Sequence, residues 1–187
     1  MIKKLALIIG FIICLSSCGK DYVYRIEGEL SNLEDQTVYA VFEKDNYKVV
    51  DTVACTKPGQ FQIDQHEAGF HCVTIFFADK EHWVTAYLEP GETVKITGDA
   101  NSPLLLQVKG GRTNDKLTAF KKKIAPLLTE LTNLSNSLNS KDLNDTIEET
   151  DIAARLANVN MQLSEEAIRY VKENPNEEAS VVLIQDR

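Results

Sequence analysis

The chain has few of the residue types that mark catalytic or redox centres. Its 187 residues include only four cysteines, three histidines and one tryptophan. No Cys-x-x-Cys pair, Gly-x-Ser-x-Gly elbow or glycine-rich phosphate loop occurs in it. No nucleophile with an evident base can therefore be named. We predict that the chain is not an enzyme and that it holds no cofactor.

Positive charge is also scarce. The chain has 20 lysines and arginines against 28 aspartates and glutamates, which gives a net charge of −8 at pH 7. Such a surface disfavours phosphate backbones and acidic lipid head groups, so we predict no binding of nucleic acid. The hydrophobic content of 43% is ordinary for a globular protein, and the chain is expected to fold.

A long hydrophobic run is missing as well. The apolar segment 5–15 is about half as long as a membrane-spanning helix requires. It follows Lys3-Lys4 and is closed by Ser16-Ser17-Cys18, an arrangement typical of a lipoprotein signal peptide. We predict a signal peptide at 1–17 and a lipid-anchored tether at 18–21. An ordinary signal peptide cut elsewhere is the alternative.

The predicted lipidation of Cys18 indicates where the protein is located and does not indicate an activity. Each buried methylene contributes about 0.8 kcal/mol, so that several acyl chains hold a protein firmly in a bilayer. We therefore predict a protein of the cell envelope whose membrane partner is reached through the lipid on Cys18. Whether it faces the periplasm or the cell surface stays open.

Two cysteines remain if Cys14 is removed with the signal peptide and Cys18 is lipidated. Cys55 and Cys72 lie in strand-like apolar segments, in a compartment where disulfides persist. Two buried structural thiols and a structural disulfide between them both fit this context. A catalytic pair is disfavoured, because the two residues are too far apart for a Cys-x-x-Cys motif.

Residues 22–110 consist of short segments typical of β-strands. Apolar and charged side chains alternate over 24–30, which is the period of a half-buried strand. Asp45-Asn46 and the Pro-Gly pairs at 58–59 and 90–91 mark turns between such segments. About eight strands predict an antiparallel sandwich or barrel, since a parallel sheet would need crossover helices.

The apolar period changes after Gly110-Gly111. Over residues 117–138, leucine, isoleucine and phenylalanine occupy the a and d positions of a heptad repeat, which predicts a long helix. Pro126 interrupts this pattern, because an interior proline removes a backbone hydrogen bond. We expect a kink near Lys122 or a break after which Pro126 starts a new helix.

A second helical segment follows a loop predicted at 139–142. Residues 146–149 have the pattern of a capping box, an apolar stripe covers 152–170, and Asn174-Pro175 ends the helix. The facing seams predict an antiparallel helical hairpin over 111–175, and hence an α+β fold. Such seams are usually intramolecular core, and a homodimer through the helices is the alternative.

Candidate contact residues are few. The three histidines do not show the spacing of a metal-ligating pair, so we predict no metal site. Asp79, His82 and Trp83 lie at an expected hairpin tip and form a candidate ligand-contact site; packing of the tryptophan is the alternative reading. The basic run Lys121-Lys122-Lys123 is predicted to face away from the helical seam as a solvated surface.

The order of these motifs resembles a known group of lipoproteins. The motifs are Ile26-x-Gly28, Asp51-Thr52-Val53 with Gly59-x-Phe61-x-Ile63, Leu88 to Asp99, and Val108-x-Gly110 with Asn114-Asp115. Their arrangement behind a lipoprotein signal resembles the N-terminal β-domain, of unknown function, of TlpA/ResA-like thiol:disulfide interchange lipoproteins. The helical segment that ends at Glu173-Asn174-Pro175 resembles the linker of those proteins.

The resemblance implies the scaffold part of a redox lipoprotein. Members of that group place a thioredoxin-like domain with a Trp-Cys-x-x-Cys site after the helices. Residues 176–187 contain no such site, so no catalytic residue carries over, and this segment is expected to be a tail or the start of a further domain. The resemblance also implies the outer membrane as location.

Two functions follow as expectations. The first is a non-catalytic module that positions or dimerises a redox domain, with a thioredoxin-like domain or protein as partner. The second is a free-standing lipoprotein that binds a small ligand, a glycan or an envelope protein.

Overall fold

The structure, a computed structural model, describes residues 22–34, 37–78, 81–139 and 146–185. The predicted signal peptide with Cys18, residue Asp79 and most of the loop predicted at 139–142 lie outside these residues. The capping box predicted at 146–149 depends on side chains that are also outside the described set. Within the described residues, no helix combines the length and the apolar character that crossing a membrane requires.

Strands fill the first half of the chain, and buried residues alternate with more exposed ones as the sequence pattern predicts, except in the strand at 48–54, where half-buried and exposed residues alternate. Their bounds are β1 Tyr24–Ser31, β2 Thr37–Glu43, β3 Lys48–Ala54, β4 Gln60–Gln65, β5 Cys72–Phe76, β6 Trp83–Tyr87, β7 Thr93–Asp99 and β8 Gln107–Lys109. A single 3-10 turn, Pro103–Leu105, lies between β7 and β8.

The strands form two four-stranded sheets that do not close into a barrel. Sheet A has the order β4-β1-β7-β8, and sheet B has the order β3-β2-β5-β6. The inner faces bury one hydrophobic core, in which Ile26 and Ile96 of sheet A meet Phe42 and Ile75 of sheet B. The predicted fold class is confirmed, with the sandwich as the correct alternative.

One strand pair contradicts the prediction of a wholly antiparallel fold. β1 and β7 run parallel, with Arg25 opposite Thr93 and Ser31 opposite Asp99. The prediction was wrong because it assumed that a helix must connect parallel strands. The connection consists instead of β2 to β6, which are distributed over both sheets.

Helices follow the sandwich. Their bounds are α1 Arg112–Lys123, α2 Ala125–Asn139, α3 Thr146–Glu173 and α4 Glu178–Gln185. α1 ends at Lys123 and is capped by Ile124, and Pro126 lies in the first turn of α2, where its missing N–H leaves no helical hydrogen bond unmade. The break expected as one alternative at Pro126 is therefore confirmed. α4 lies in the segment that was expected to be a tail or the start of a further domain.

The helices pack as the predicted antiparallel hairpin. Leu134 of α2 contacts Ile152 and Val159 of α3 in one buried cluster. A second cluster joins Phe120, Ile124 and Leu128 to Ala167. Leu127, a predicted seam position, packs partly buried against the cluster around Leu134, and its neighbour Leu128 is buried in the second cluster.

Candidate functional site

Helix α1 joins the sandwich through the free edge of sheet B. β6 is an edge strand, and the Asn114 side chain of α1 pairs with its backbone. Asn114 Nδ2 donates to the Tyr87 carbonyl oxygen at 2.7 Å, and the Tyr87 amide donates to Asn114 Oδ1 at 2.8 Å. Nδ2 also donates to the Gly110 carbonyl at 2.6 Å. Asn114 is 1% exposed and replaces the backbone of a neighbouring strand at this position.

Thr118, one helical turn further on, closes the edge of sheet A in the same way. Its Oγ1 donates to the Val108 carbonyl at 2.6 Å and accepts from the Val108 amide at 3.1 Å. β8, which contains Val108, is the edge strand of that sheet. Asn114 and Thr118 therefore attach α1 to both sheets and occupy backbone groups that an added strand would otherwise use.

An apolar cleft of about 310 Å³ lies where the sandwich meets the helices. Phe120, Ile124, Leu128 and the α4 residues Val182 and Leu183 are among the residues that line it. From β6 and the 3-10 turn, Trp83 and Leu104 also line it, and they remain 53% and 41% exposed. A cleft of this size and composition can hold an apolar group.

The polar side chains of the cleft are hydrogen-bonded within the protein. Asn114 and Thr118 contact the strand edges, and Thr85 Oγ1 lies 3.2 Å from Thr74 Oγ1. Among the described residues that line the cleft, Lys121 is the only charged one. The described lining of the cleft is therefore mainly apolar and contains no acid–base pair.

The structure separates the residues of the predicted contact tip. Trp83 lines the cleft, whereas His82 lines a different depression together with Leu33 and Phe77. Asp79 lies outside the described residues.

The prediction of a wholly solvated basic run is wrong for its first residue. Lys121 is half-buried and lines the cleft, whereas Lys122 and Lys123 are exposed. The prediction considered only the helical seam, but α1 also packs against β6 and β8, which leaves less of its surface for solvent.

Residues 24–117 match the model of a family described as "Domain of unknown function (DUF4369)". The match begins with β1, covers all eight strands and extends into α1, which is half of the chain. The chain belongs to the DUF4369 family. The DUF4369 region includes Asn114, which attaches α1 to sheet B, and ends just before Thr118. No curated protein and no solved structure matches the chain.

The two outer faces of the DUF4369 sandwich differ in chemistry. On sheet A, Arg25 contacts both carboxylate oxygens of Asp64, at 2.6 and 2.7 Å. The hydrogen bonds from Arg25 lower the pKa of Asp64. Lys95 lies 3.6 Å from Glu27 on the same face. This outer face is a solvated, ion-paired surface.

The outer face of sheet B carries an aromatic row. Tyr39 of β2 lies opposite Phe76 of β5, which lies opposite Trp83 of β6. The rings of Phe76 and Trp83 are 6.0 Å apart. Next to this row Val41 faces Val50, which is 63% exposed. The alternation of apolar and polar residues along a strand predicts which face of the sheet each side chain is on. The aromatic row also depends on the register of three strands, which the sequence does not specify.

Cys55 and Cys72 lie on opposite faces of sheet B. Cys55 follows β3 and packs against the sandwich core, whereas Cys72 shares the outer face with Tyr87, its partner on β6. Both are half-buried thiols in the structure. Because the two thiols lie on opposite sides of the sheet, their sulfur atoms are not placed to form a disulfide with each other.

No group of three or more histidine, cysteine, aspartate or glutamate side chains with the geometry of a metal site occurs among the described residues.

The loop between α3 and α4 and the first residue of α4 are attached to α1 of the DUF4369 region. Thr113 Oγ1 donates to Glu178 Oε2 at 2.7 Å, and Lys116 Nζ lies 2.8 Å from Glu177 Oε1. The Tyr170 hydroxyl donates to Glu177 Oε2 at 2.6 Å. Burial and this hydrogen bond raise the pKa of Tyr170 to about 12, while the hydrogen bond from Lys116 lowers the pKa of Glu177. These bonds hold α4 beside the cleft.

Proposed function

We propose that this DUF4369 protein is a lipid-anchored, non-catalytic module of the cell envelope that positions a thioredoxin-like redox partner. The attachment of α1 to both sheets by Asn114 and Thr118 carries the proposal. A module that orients a partner must transmit a fixed geometry, and this attachment makes the sandwich and the helices one unit. The likeness of the motif order to TlpA/ResA-like lipoproteins supports the redox nature of the partner.

The aromatic row on sheet B is the surface proposed for the partner. Tyr39 and Phe76 are half-buried and lie in one row with Trp83, which is 53% exposed. Val50 on the edge strand β3 is exposed beside this row. Exposed apolar patches of this kind are typical of protein contact surfaces. The outer face of sheet A, with its ion pairs, supports no comparable contact.

The proposed anchor gives the module an orientation. A tether at 18–21 reaches about 14 Å at most, so β1 would begin close to the bilayer. α1 begins at the same end of the sandwich, because Gly110 lies against the backbone of Thr93, the residue opposite Arg25. α2 begins at the far end, beside Leu105. Under the proposal, α2 therefore begins on the side of the sandwich that lies away from the membrane.

The helices offer a further surface for the predicted homodimer. Met161 and Ile168 of α3, seven residues apart, are 56% and 44% exposed. Association of two copies through α3 stays a prediction, and sedimentation of the purified protein measures it directly.

The Cys18→Ser variant tests the anchor. Without the sulfur that accepts the lipid, the protein should move from the membrane pellet to the soluble fraction when cells expressing the full chain are fractionated. Cys14→Ser, within the same signal peptide, is the matched control and should stay in the pellet. An unchanged membrane pool of the Cys18→Ser protein would exclude lipid anchoring at this residue.

A ligand-binding lipoprotein is the second candidate function. It is favoured by the apolar cleft, which remains open to solvent at Trp83 and Leu104.

A further inference from the structure

The backbone of the edge strand β3 is hydrogen-bonded on one side. β3 pairs with β2, and at the turn between them the Lys44 amide donates to the Tyr47 carbonyl at 3.0 Å. Bonded pairs alternate along an antiparallel ladder, so every second residue of β3 directs its N–H and C=O away from β2. Counted from Tyr47, these residues include Val50 and Thr52. No described residue forms a hydrogen bond with their outward backbone groups.

The other edges of the sandwich are less suited to an added strand. α1 closes the edges of β6 and β8 through Asn114 and Thr118. The edge strand β4 carries the charged Asp64, which is held in an ion pair, and charge on an edge disfavours strand addition. β3 instead presents Val50, which is 63% exposed. Strand addition is therefore best supported at β3.

A carboxylate on β3 discriminates between strands of different sequence. Asp51 lies on the inner side of β3, because its partner in β2 is the fully buried Ala40. Val49 and Val53, on either side of it, are partly buried and pack against the sandwich core. Asp51 is half-buried and forms no ion pair or side-chain hydrogen bond with a described residue. The inner side of this edge is thus apolar, acidic and apolar in turn.

We propose that the edge of β3 binds an extended segment of a partner protein whose inward side chains are apolar, basic and apolar in turn. The segment adds a fifth strand to sheet B, bonds to the outward backbone groups of Val50 and Thr52, and places a lysine or arginine opposite Asp51. In an antiparallel pairing, Asp51 and the residue opposite it form a non-hydrogen-bonded pair, in which side chains lie closest. This surface goes beyond the proposed function, because it does not depend on a redox partner.

The charge of Asp51 favours a basic segment over other occupants. A strand without a cation would cover the carboxylate and leave it unpaired, which is how inward charges protect edge strands. A second copy of β3 paired about Asp51 would place two carboxylates opposite each other. A basic residue avoids both costs, and the net charge of −8 favours its approach.

Hydrogen exchange of single amides, measured by NMR, locates the added strand. The full chain carrying Cys18→Ser is titrated with the end-blocked peptide Thr-Val-Thr-Lys-Thr-Val-Thr, and with the same peptide carrying glutamate in place of lysine. At saturation with the lysine peptide, the amides of Val50 and Thr52 should exchange several-fold more slowly. The amides of Val49 and Asp51, which already bond to β2, should change little.

The affinities of the two peptides test the selection by charge. The lysine peptide should bind about five- to tenfold more tightly than the glutamate peptide. Equal affinities, or unchanged exchange at Val50 and Thr52, would overturn the proposal. Slow exchange of these two amides in the protein alone, increasing with its concentration, would assign the edge to a second copy instead.

Reversal of the charge tests the contact at Asp51. Asp51→Lys should make the glutamate peptide the tighter ligand, and Asp51→Asn should bring the two affinities within about twofold of each other. Glu29→Gln, which removes an exposed carboxylate from β1, is the matched control and should keep the preference of the parent protein. A retained preference for the lysine peptide in Asp51→Lys would contradict the placement of the basic residue.

A proline tests the backbone contact. Val50→Pro removes an N–H that points away from β2, and proline is tolerated at such positions of edge strands. It should abolish binding of both peptides and leave the circular dichroism spectrum unchanged. Retained binding by a folded Val50→Pro protein would place the peptide elsewhere; if this variant does not fold, Asp51→Lys decides. None of these measurements uses a thioredoxin-like protein, so their failure leaves the proposed redox module untouched.

Discussion

At the scale of single residues, the junction of sandwich and helices depends on the chemistry of an amide side chain. Asn114 offers a donor and an acceptor side by side, as a peptide group does, and so can pair with both backbone atoms of Tyr87. Aspartate would lack the donor, and leucine would lack both groups. The buried position of Asn114 makes any unsatisfied partner costly.

Asn114→Leu should lower the free energy of unfolding by about 3 kcal/mol, because it leaves the carbonyls of Tyr87 and Gly110 and the amide of Tyr87 without their partner. Urea unfolding measures the change. Asn133→Ala, an exposed amide on α2, serves as control and should stay within about 0.5 kcal/mol of the parent protein. Equal effects of the two substitutions would show that the edge contact does not hold the fold.

The raised pKa of Tyr170 determines the direction in which the stability of the fold changes at high pH. Its pKa of about 12 lies above the ordinary value of 10, so the neutral hydroxyl is favoured in the folded state. Its contribution to stability is therefore complete below pH 10 and is lost as the pH rises from 10 towards 12. Titration of tyrosine absorbance at 295 nm should show one group near pH 12 that disappears in Tyr170→Phe. An identical high-pH titration in that variant would rule out the assignment.

At the scale of elements, the helical hairpin is held by two buried clusters on either side of the break at Ile124. The cluster near the sandwich contains Phe120 and Ala167, and the cluster near the tip contains Leu134 and Val159. The Lys123–Glu166 and Glu130–Arg155 ion pairs, at 3.7 and 3.1 Å, run along the outside of the same seam. These surface pairs contribute little beside the apolar clusters.

Val159→Ala should lower the free energy of unfolding by about 2 kcal/mol, because Val159 is 1% exposed and its truncation leaves a cavity in the seam. Asn160→Ala, on the exposed side of the same helix, should shift stability by no more than about 0.5 kcal/mol. Guanidinium unfolding of both variants provides the comparison. A larger loss from Asn160→Ala would indicate that the opposite face of α3 is the buried one.

Elements that depend on neighbouring residues were predictable from the sequence. The alternation of apolar and polar residues predicted the strands, and Pro126 predicted the helix break, because both signals depend on residues that are close together in the sequence. The parallel pairing of β1 with β7 was not predictable, since it depends on how distant strands are distributed between the sheets. The same holds for the position of Lys121, which lines the cleft only because α1 crosses beside β6 and β8.

The candidate site was predictable only at Trp83. Its place at the start of a strand marked it as a candidate contact residue, but Phe76 beside it belongs to β5, and the residues that line the cleft with it belong to α1, α2 and α4 as well as to the strands. Nor could the role of Asn114 be inferred, because its partner Tyr87 lies on another element. Contacts between distant elements determine the site, and a single sequence does not specify them.

At the scale of the whole molecule, a sandwich with one ion-paired outer face and one outer face that carries an aromatic row is joined to a helical hairpin by polar contacts at its two sheet edges. The net charge of −8 keeps such a protein from associating with acidic lipid surfaces by charge. Attachment to a membrane would then depend on the proposed lipid alone, which leaves the aromatic row of sheet B available to a partner.

The most direct test of the proposed module is photo-crosslinking in the cell envelope from the outer faces of the two sheets. A photoreactive amino acid at Tyr39, in the aromatic row, is compared with the same group at Gln62, an exposed position on sheet A. The account predicts adducts from Tyr39 with a protein that carries a thioredoxin-like domain, and none of these from Gln62. Adducts with such a protein from both positions, or from neither, would contradict it.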